Sequence, residues 1–168
     1  VDMAIGGGVN AVQLREKGLA GGPLLELARG LRRVTDGRAL LFINERVDVA
    51  VACGADGVQL GEDGLPAEAA RRVAGPGLLI GRSVHTAKGA VTAEQRGADF
   101  LLVGTVFTTR SHSGGQSAGT VLLAEVAGHV TIPFAGIGGI TSDNVDQVME
   151  AGATGAAVIR AILGADDP

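Results

Sequence analysis

In "QLREK" the residues Gln13, Arg15 and Lys17 alternate with two others. Alternate residues of an extended chain point the same way, so an amide and two cations would converge on one spot. Such a trio suits a phosphate or diphosphate, because all three groups donate to anionic oxygens. A solvated strand end with Glu16 nearby is the other reading of the same letters. "FINERVD" adds Asn44 and Glu45, with Asp48 beyond, and "VQLGEDGLP" adds Gln59, Glu62 and Asp63. Carboxylates at adjacent strand ends would share a hard cation such as Mg2+, which takes one or two carboxylates plus substrate phosphate oxygens. The acids ahead of Pro66 would equally cap the helix that it opens. In "GRSVHT", Ser83 ends a strand beside Arg82, and His85 reads as a helix cap.

"FAGIGGITSDN" is the most specific local signal. Gly136, Gly138 and Gly139 follow a strand, and Thr141 and Ser142 lead a helix, so backbone N–H groups would form a phosphate cradle. A Cβ there would hold the phosphate off the backbone. Ile159 and Arg160, closing "GAAVIR", would lie beside it, and an arginine at a buried strand end needs an anionic partner. In "VGTVFTTRSHSGGQSAG", Thr109, Arg110, Ser111 and His112 form an anion-facing segment, and Gly114, Gly115 and Gly119 would let it close as a lid.

These residues need a scaffold that brings strand ends together. One phrase recurs, as "GGGVNAVQL", "CGADGVQL", "RGADFLLVG" and "AGATGAAVI", at intervals of roughly 43 to 55 residues. Each copy reads as a helix end, a glycine turn and a strand, and a second strand fits between copies. Strands are expected near Val9–Arg15, Ala39–Asn44, Gly57–Leu60, Leu78–Ser83, Phe100–Val106, Ile132–Gly136 and Gly155–Ile159. The glycines read as punctuation between them. "GPLLELARGLRRV" carries Leu24, Leu27, Ala28 and Leu31 on one helical face, and "PAEAARRVA" opens at Pro66 as a first-turn proline should. Apolar strands alternating with such helices make a parallel α/β sheet. Early strands lack the G-x-G-x-x-G turn of an open doubly wound sheet, and polar residues follow nearly every strand, so a TIM (β/α)8 barrel is expected. Full barrels usually exceed about 200 residues, so the first strand and the last full helix are expected to be missing here.

Composition excludes other classes. At 168 residues, 46% hydrophobic and 19% charged, residues 1–168 form a single domain with a real core. A net charge of -4 without a basic cluster argues against nucleic acid. Apolar runs are broken by Asp and Gly before the roughly 20 residues of a membrane span. The single cysteine, Cys53, and the lack of an opening signal segment point to the cytoplasm.

Taken in order, "VQLREK", "INERVD", "GADGVQLGED", "IGRSVHT", "VGTVFTTRSH", "AGIGGI" and the closing "GADDP" resemble the thiamin phosphate synthase family, which includes the TenI-type thiazole tautomerases. The resemblance implies a (β/α)8 barrel of thiamin biosynthesis. It implies a synthase that joins hydroxymethylpyrimidine diphosphate to thiazole phosphate with Mg2+ and expels pyrophosphate, or a tautomerase that isomerises the thiazole phosphate carboxylate. By the same resemblance Gln13, Arg15, Lys17, Asn44, Ser83 and Thr109 hold the diphosphate, Gly138 and Gly139 the thiazole phosphate, and Glu45 and Asp63 the metal.

This sequence departs from the family pattern at several places. The family's Asp in "N-D" is Glu45, and the Asp of "H-L-G-Q-x-D" falls on Gly64, leaving Asp63 one position early. Ser111 and His112 stand at the last Thr and the Lys of "T-x-T-K", and Arg160 stands at a late phosphate-side Ser. Arg110 or His112 would replace the lysine in a synthase, whereas His112 would shuttle the proton in a tautomerase. Three readings stay open, with the synthase first because "QLREK" carries charge enough for a diphosphate. The others are the tautomerase and a paralogue that binds thiazole or thiamin phosphate without turnover. A homo-oligomer is left open as well.

Overall fold

Segments such as "LLFIN" and "FLLVG", apolar at nearly every position, are stable only as strands covered on both faces. The computed structural model, which describes residues 1–108 and 117–165, arranges them so. A short helix α1 (Asp2–Gly6) precedes β1 (Ala11–Leu14), α2 (Gly21–Thr35), β2 (Leu40–Asn44), α3 (Val47–Cys53) and β3 (Gly57–Leu60). Then come α4 (Ala67–Ala74), β4 (Leu79–Val84), α5 (Ala87–Gln95), β5 (Phe100–Gly104) and α6 (Gly119–Ala127). The chain closes with β6 (Phe134–Ile137), α7 (Val145–Glu150), β7 (Gly155–Ala157) and α8 (Arg160–Leu163). All seven strands are parallel and lie in sequence order, a curled half-barrel with β1 and β7 at its edges. Among the described residues no helix is long and apolar enough to cross a membrane.

Alternation along each strand separates two very different faces. Outward residues such as Leu41, Ile43, Val58, Leu60, Ile80 and Leu101 are fully buried beneath the helices, where the hydrophobic core lies. On the inner face Phe42 is the register partner of Gly57, and Phe100 that of Gly81. A Cβ at either glycine would overlap the neighbouring ring, and the two rings pack with centroids 4.9 Å apart. Gly57, Gly81, Gly104 and Gly136 therefore lie within strands, where close packing excludes a side chain, and are not turn punctuation.

Several strands stop short of the expected bounds. β1 ends at Leu14, so Arg15 and Lys17 lie beyond it and strand alternation does not align them with Gln13. β7 ends at Ala157, and Ile159 is the N-cap residue of α8. In α2, Leu24 and Ala28 are buried but Leu27 is 43% exposed. At about 100° per residue, Leu24, Ala28, Leu31 and Thr35 form the stripe and Leu27 falls on its flank.

A pair of ionic struts ties helices to strands at the N-terminal rim, and both come from the recurring "GAD". Asp56 accepts from Arg32 of α2 at 2.6 Å and from the Leu41 N–H of β2 at 2.7 Å. Asp99 pairs with Arg71 of α4 and accepts from the Ile80 N–H of β4 at 2.7 Å. In the last repeat Thr154 holds the same place and donates to the Phe134 carbonyl oxygen. Each carboxylate satisfies a strand-end donor that would otherwise be lost to the ladder. Asp56→Ala is expected to cost about 2 kcal/mol by leaving a part-buried N–H unpaired and Arg32 with only its 3.9 Å ion pair to Asp36, a drop in Tm of roughly 4–8 °C. Thermal unfolding of the variant checks this; a Tm within a degree of the unaltered protein would show the strut to be idle.

Candidate functional site

Parallel strands bring all their C-terminal ends to one rim, where barrel proteins place their chemistry. On the inner side of that rim, adjacent strands β1 to β4 carry Gln13, Asn44, Gln59 and Ser83. Gln13 Nε2 donates to Asn44 Oδ1 at 3.0 Å, and Gln59 Nε2 donates to Ser83 Oγ at 3.0 Å. Asn44 and Gln59 are register partners, so the two hydrogen-bonded pairs form one polar row. Gln59 was legible only as a strand-end residue, since its glutamine looks like any other polar terminus. Arg15 and Lys17, just past β1, are exposed and in no described ion pair. Their neighbour Glu16 accepts from the Gly18 N–H at 3.0 Å and is in no described ion pair with either.

The next turn is built around Glu45. This residue has φ 62, a left-handed conformation that costs a side-chain-bearing residue energy and must be held in place. Its Oε1 accepts from the Gly61 N–H at 2.6 Å, across the β3–α4 turn. A Cβ at Gly64 would overlap Glu45 Oε2, so the carboxylate fills the volume that the glycine leaves open. Arg46 does not reach this turn: it grips Asp48 at 2.9 and 2.6 Å, and the guanidinium holds the Asp48 carboxyl below the usual range. Asp63 sits on the turn, exposed, with no described partner and no described contact to Glu45.

Glu62 and Asp63 are not helix caps. Pro66 is the N-cap residue of α4, and no side chain caps it. Arg82 fixes the turn instead, donating to the carbonyl oxygens of Glu62 at 2.6 Å and Leu65 at 2.8 Å. His85 is not a cap either, because Thr86 accepts from the Gly89 N–H of α5. The His85 ring bonds through Nδ1 to the Gly104 carbonyl oxygen on β5, and Nε2 lies 3.7 Å from Glu62 Oε2.

At the far end of the rim, Gly138 and Gly139 have φ 108 and 63. Packing accounts for their lack of a side chain: a Cβ at Gly138 would overlap Thr105, and one at Gly139 would come 2.8 Å from the Thr108 carbonyl oxygen. The Phe107 N–H donates to the Gly138 carbonyl oxygen at 2.9 Å, so this loop anchors the segment after β5. Asn144 accepts from the Thr141 N–H at 2.9 Å, while the N–H groups of Gly138, Gly139 and Ile140 meet no described acceptor. Ile159 and Arg160 follow β7, which pairs with β6 as far as Ile137↔Ala157. Both are exposed, so Arg160 is not the buried cation that its position suggested. Thr109, Arg110, Ser111 and His112 lie outside the described residues.

Among the described residues no three His, Cys, Asp or Glu side chains gather as a metal-binding group. One carboxylate is nevertheless fixed in place. It is Glu45, whose Oε1 is held by the Gly61 N–H and whose Oε2 lies over Gly64. This is the residue here that could serve a magnesium ion, which takes one or two carboxylates with water and phosphate oxygens.

The family model for thiamine monophosphate synthase matches residues 1–162. The thiamine-phosphate synthase of Methanoculleus marisnigri is 45% identical over 98% of this chain and 79% of its own length. That of Anaeromyxobacter dehalogenans is 46% identical over 98% of this chain and 75% of its own. The solved structure of thiamine phosphate pyrophosphorylase from Pyrococcus furiosus superposes with a TM-score of 0.91 at 41% identity, covering 99% of this chain and 80% of that one.

The Glu45 turn yields a direct test. Gly64→Ala is expected to cost about 1 kcal/mol, the worth of the Gly61 N–H to Glu45 hydrogen bond that is lost when the flexible carboxylate swings aside. Adding Glu45→Asp, one methylene shorter, should recover most of the lost Tm, whereas an unchanged Tm in Gly64→Ala alone would show that Glu45 does not need that space.

Proposed function

The chain belongs to the thiamine monophosphate synthase family, and we propose that it acts as a transferase of thiamin biosynthesis, joining hydroxymethylpyrimidine diphosphate to thiazole phosphate with release of pyrophosphate. The donor-rich rim supports this best: Gln13, Asn44 and Ser83 on three strands, with Arg15 and Lys17 past the first and in no described ion pair. A departing diphosphate gathers negative charge, and donors already held in place stabilise it without reorganising. The bond from the pyrimidine methylene carbon to the diphosphate oxygen breaks, and the oxygen keeps the electron pair. The thiazole nitrogen then gives its lone pair to that carbon. No proton moves, so the step needs no general base.

In this reading Arg15 and Lys17 take up charge on the leaving group, and Gln13, Asn44 and Ser83 orient it. The N–H groups of Gly138 and Gly139, with Arg160 beside them, hold the thiazole phosphate away from the diphosphate. Glu45, after β2, would hold a magnesium ion, with Asp63 on the neighbouring β3–α4 turn as a second acid; when bound, the ion would neutralise diphosphate charge. Small phosphorylated substrates and a lone buried cysteine, Cys53, accord with a cytoplasmic enzyme.

Incubation of the full-length protein with both substrates and Mg2+ is expected to form thiamin phosphate and pyrophosphate. Arg15→Ala should lower kcat/KM about 100-fold, roughly the value of a charge-assisted contact at a developing charge. Isomerisation of the thiazole carboxylate without coupling, or ligand binding without either product, would overturn the assignment.

A further inference from the structure

Gln59 stands apart from the rest of the polar row because it is buried. Its side chain is only 2% exposed, whereas Gln13 is exposed and Asn44 and Ser83 are half-buried. The amide lies over Gly81, where a Cβ would overlap both Gln59 Oε1 and the Phe100 ring. Nε2 donates to Ser83 Oγ at 3.0 Å and more weakly to the Leu60 carbonyl oxygen at 3.4 Å. Oε1 has no partner among the described residues. A buried acceptor without a donor is costly, and packing alone would favour an apolar side chain of similar volume.

We propose that Gln59 is a positioning residue that sets the direction of the Ser83 hydroxyl. A hydroxyl has one hydrogen to give and two lone pairs to receive. With one lone pair engaged by the Gln59 N–H, the Ser83 hydrogen is left to point away from Gln59 toward the open rim. An anionic oxygen there meets a donor and not a lone pair. The amide does not titrate, so this polarity holds across the working pH range. The proposal rests on the diphosphate reading of the rim, which supplies the anion that Ser83 addresses.

The test measures affinity for inorganic pyrophosphate by calorimetry in the full-length protein, in Gln59→Leu, in Ser83→Ala and in the double variant. Gln59→Leu is expected to weaken pyrophosphate binding about 5- to 10-fold and to raise KM for the pyrimidine diphosphate, while KM for the thiazole phosphate stays the same. Its unfolding temperature should equal or exceed that of the unaltered protein, because an unpartnered buried oxygen has been removed. On the Ser83→Ala background the same change should cost nothing more. If Gln59→Leu does not fold, Gln59→Met, of similar length and without an N–H, takes its place. Unaltered pyrophosphate affinity in the variant, or a loss that adds fully to that of Ser83→Ala, would overturn the positioning role alone. Failure of the unaltered protein to bind pyrophosphate would remove the diphosphate reading and this inference with it.

Discussion

The rim owes its shape to the packing of two phenylalanine rings on two glycines. Phe42 lies over Gly57 and Phe100 over Gly81, and the rings meet inside the curl of the sheet. Gln13, Asn44 and Ser83 stay accessible at the mouth, while Gln59 packs down onto Gly81 beside the Phe100 ring. The outer faces of the same strands bury their aliphatic side chains against the helices, where the hydrophobic free energy resides. Stability and chemistry thus occupy opposite faces of one sheet.

The fold was legible because its signals are local and repeated. "CGADGVQL" and "RGADFLLVG" announce helix end, turn and strand, and all seven expected strands are present in the half-barrel. Strand ends were less legible, since "QLREK" looks extended throughout while β1 ends at Leu14, where pairing with β2 ends. Why the glycines inside the expected strands are glycine was illegible for a related reason. What excludes a side chain at Gly57 is a ring on another strand, and no local pattern announces that.

The site divides in the same way. Gln13, Asn44 and Ser83 belong to strand ends that residue types reveal, and the register brings them to one rim. The reach of Glu45 to the Gly61 N–H, of Arg82 to the turn after β3, and of His85 to Gly104 spans separate βα units. Such contacts depend on the curl of the sheet and on side-chain length, which spacing along the chain does not encode. Gly138 and Gly139 illustrate a mixed case. Their motif points to a phosphate, but the residues after β5 press on them just as closely.

The carboxylates of Asp56 and Asp99 give the half-barrel two electrically unequal ends. At one rim guanidinium and carboxylate cancel within hydrogen-bonding distance, and little field escapes. At the other, Arg15 and Lys17 meet no described counterion, so their field extends into solvent over about a Debye length. The same rim also carries Glu16, Glu45, Glu62 and Asp63, so its field is mixed in sign and its positive part is local to the end of β1. Added salt would therefore weaken the field of that one strand end while leaving the opposite rim, whose charges pair in contact, largely unchanged.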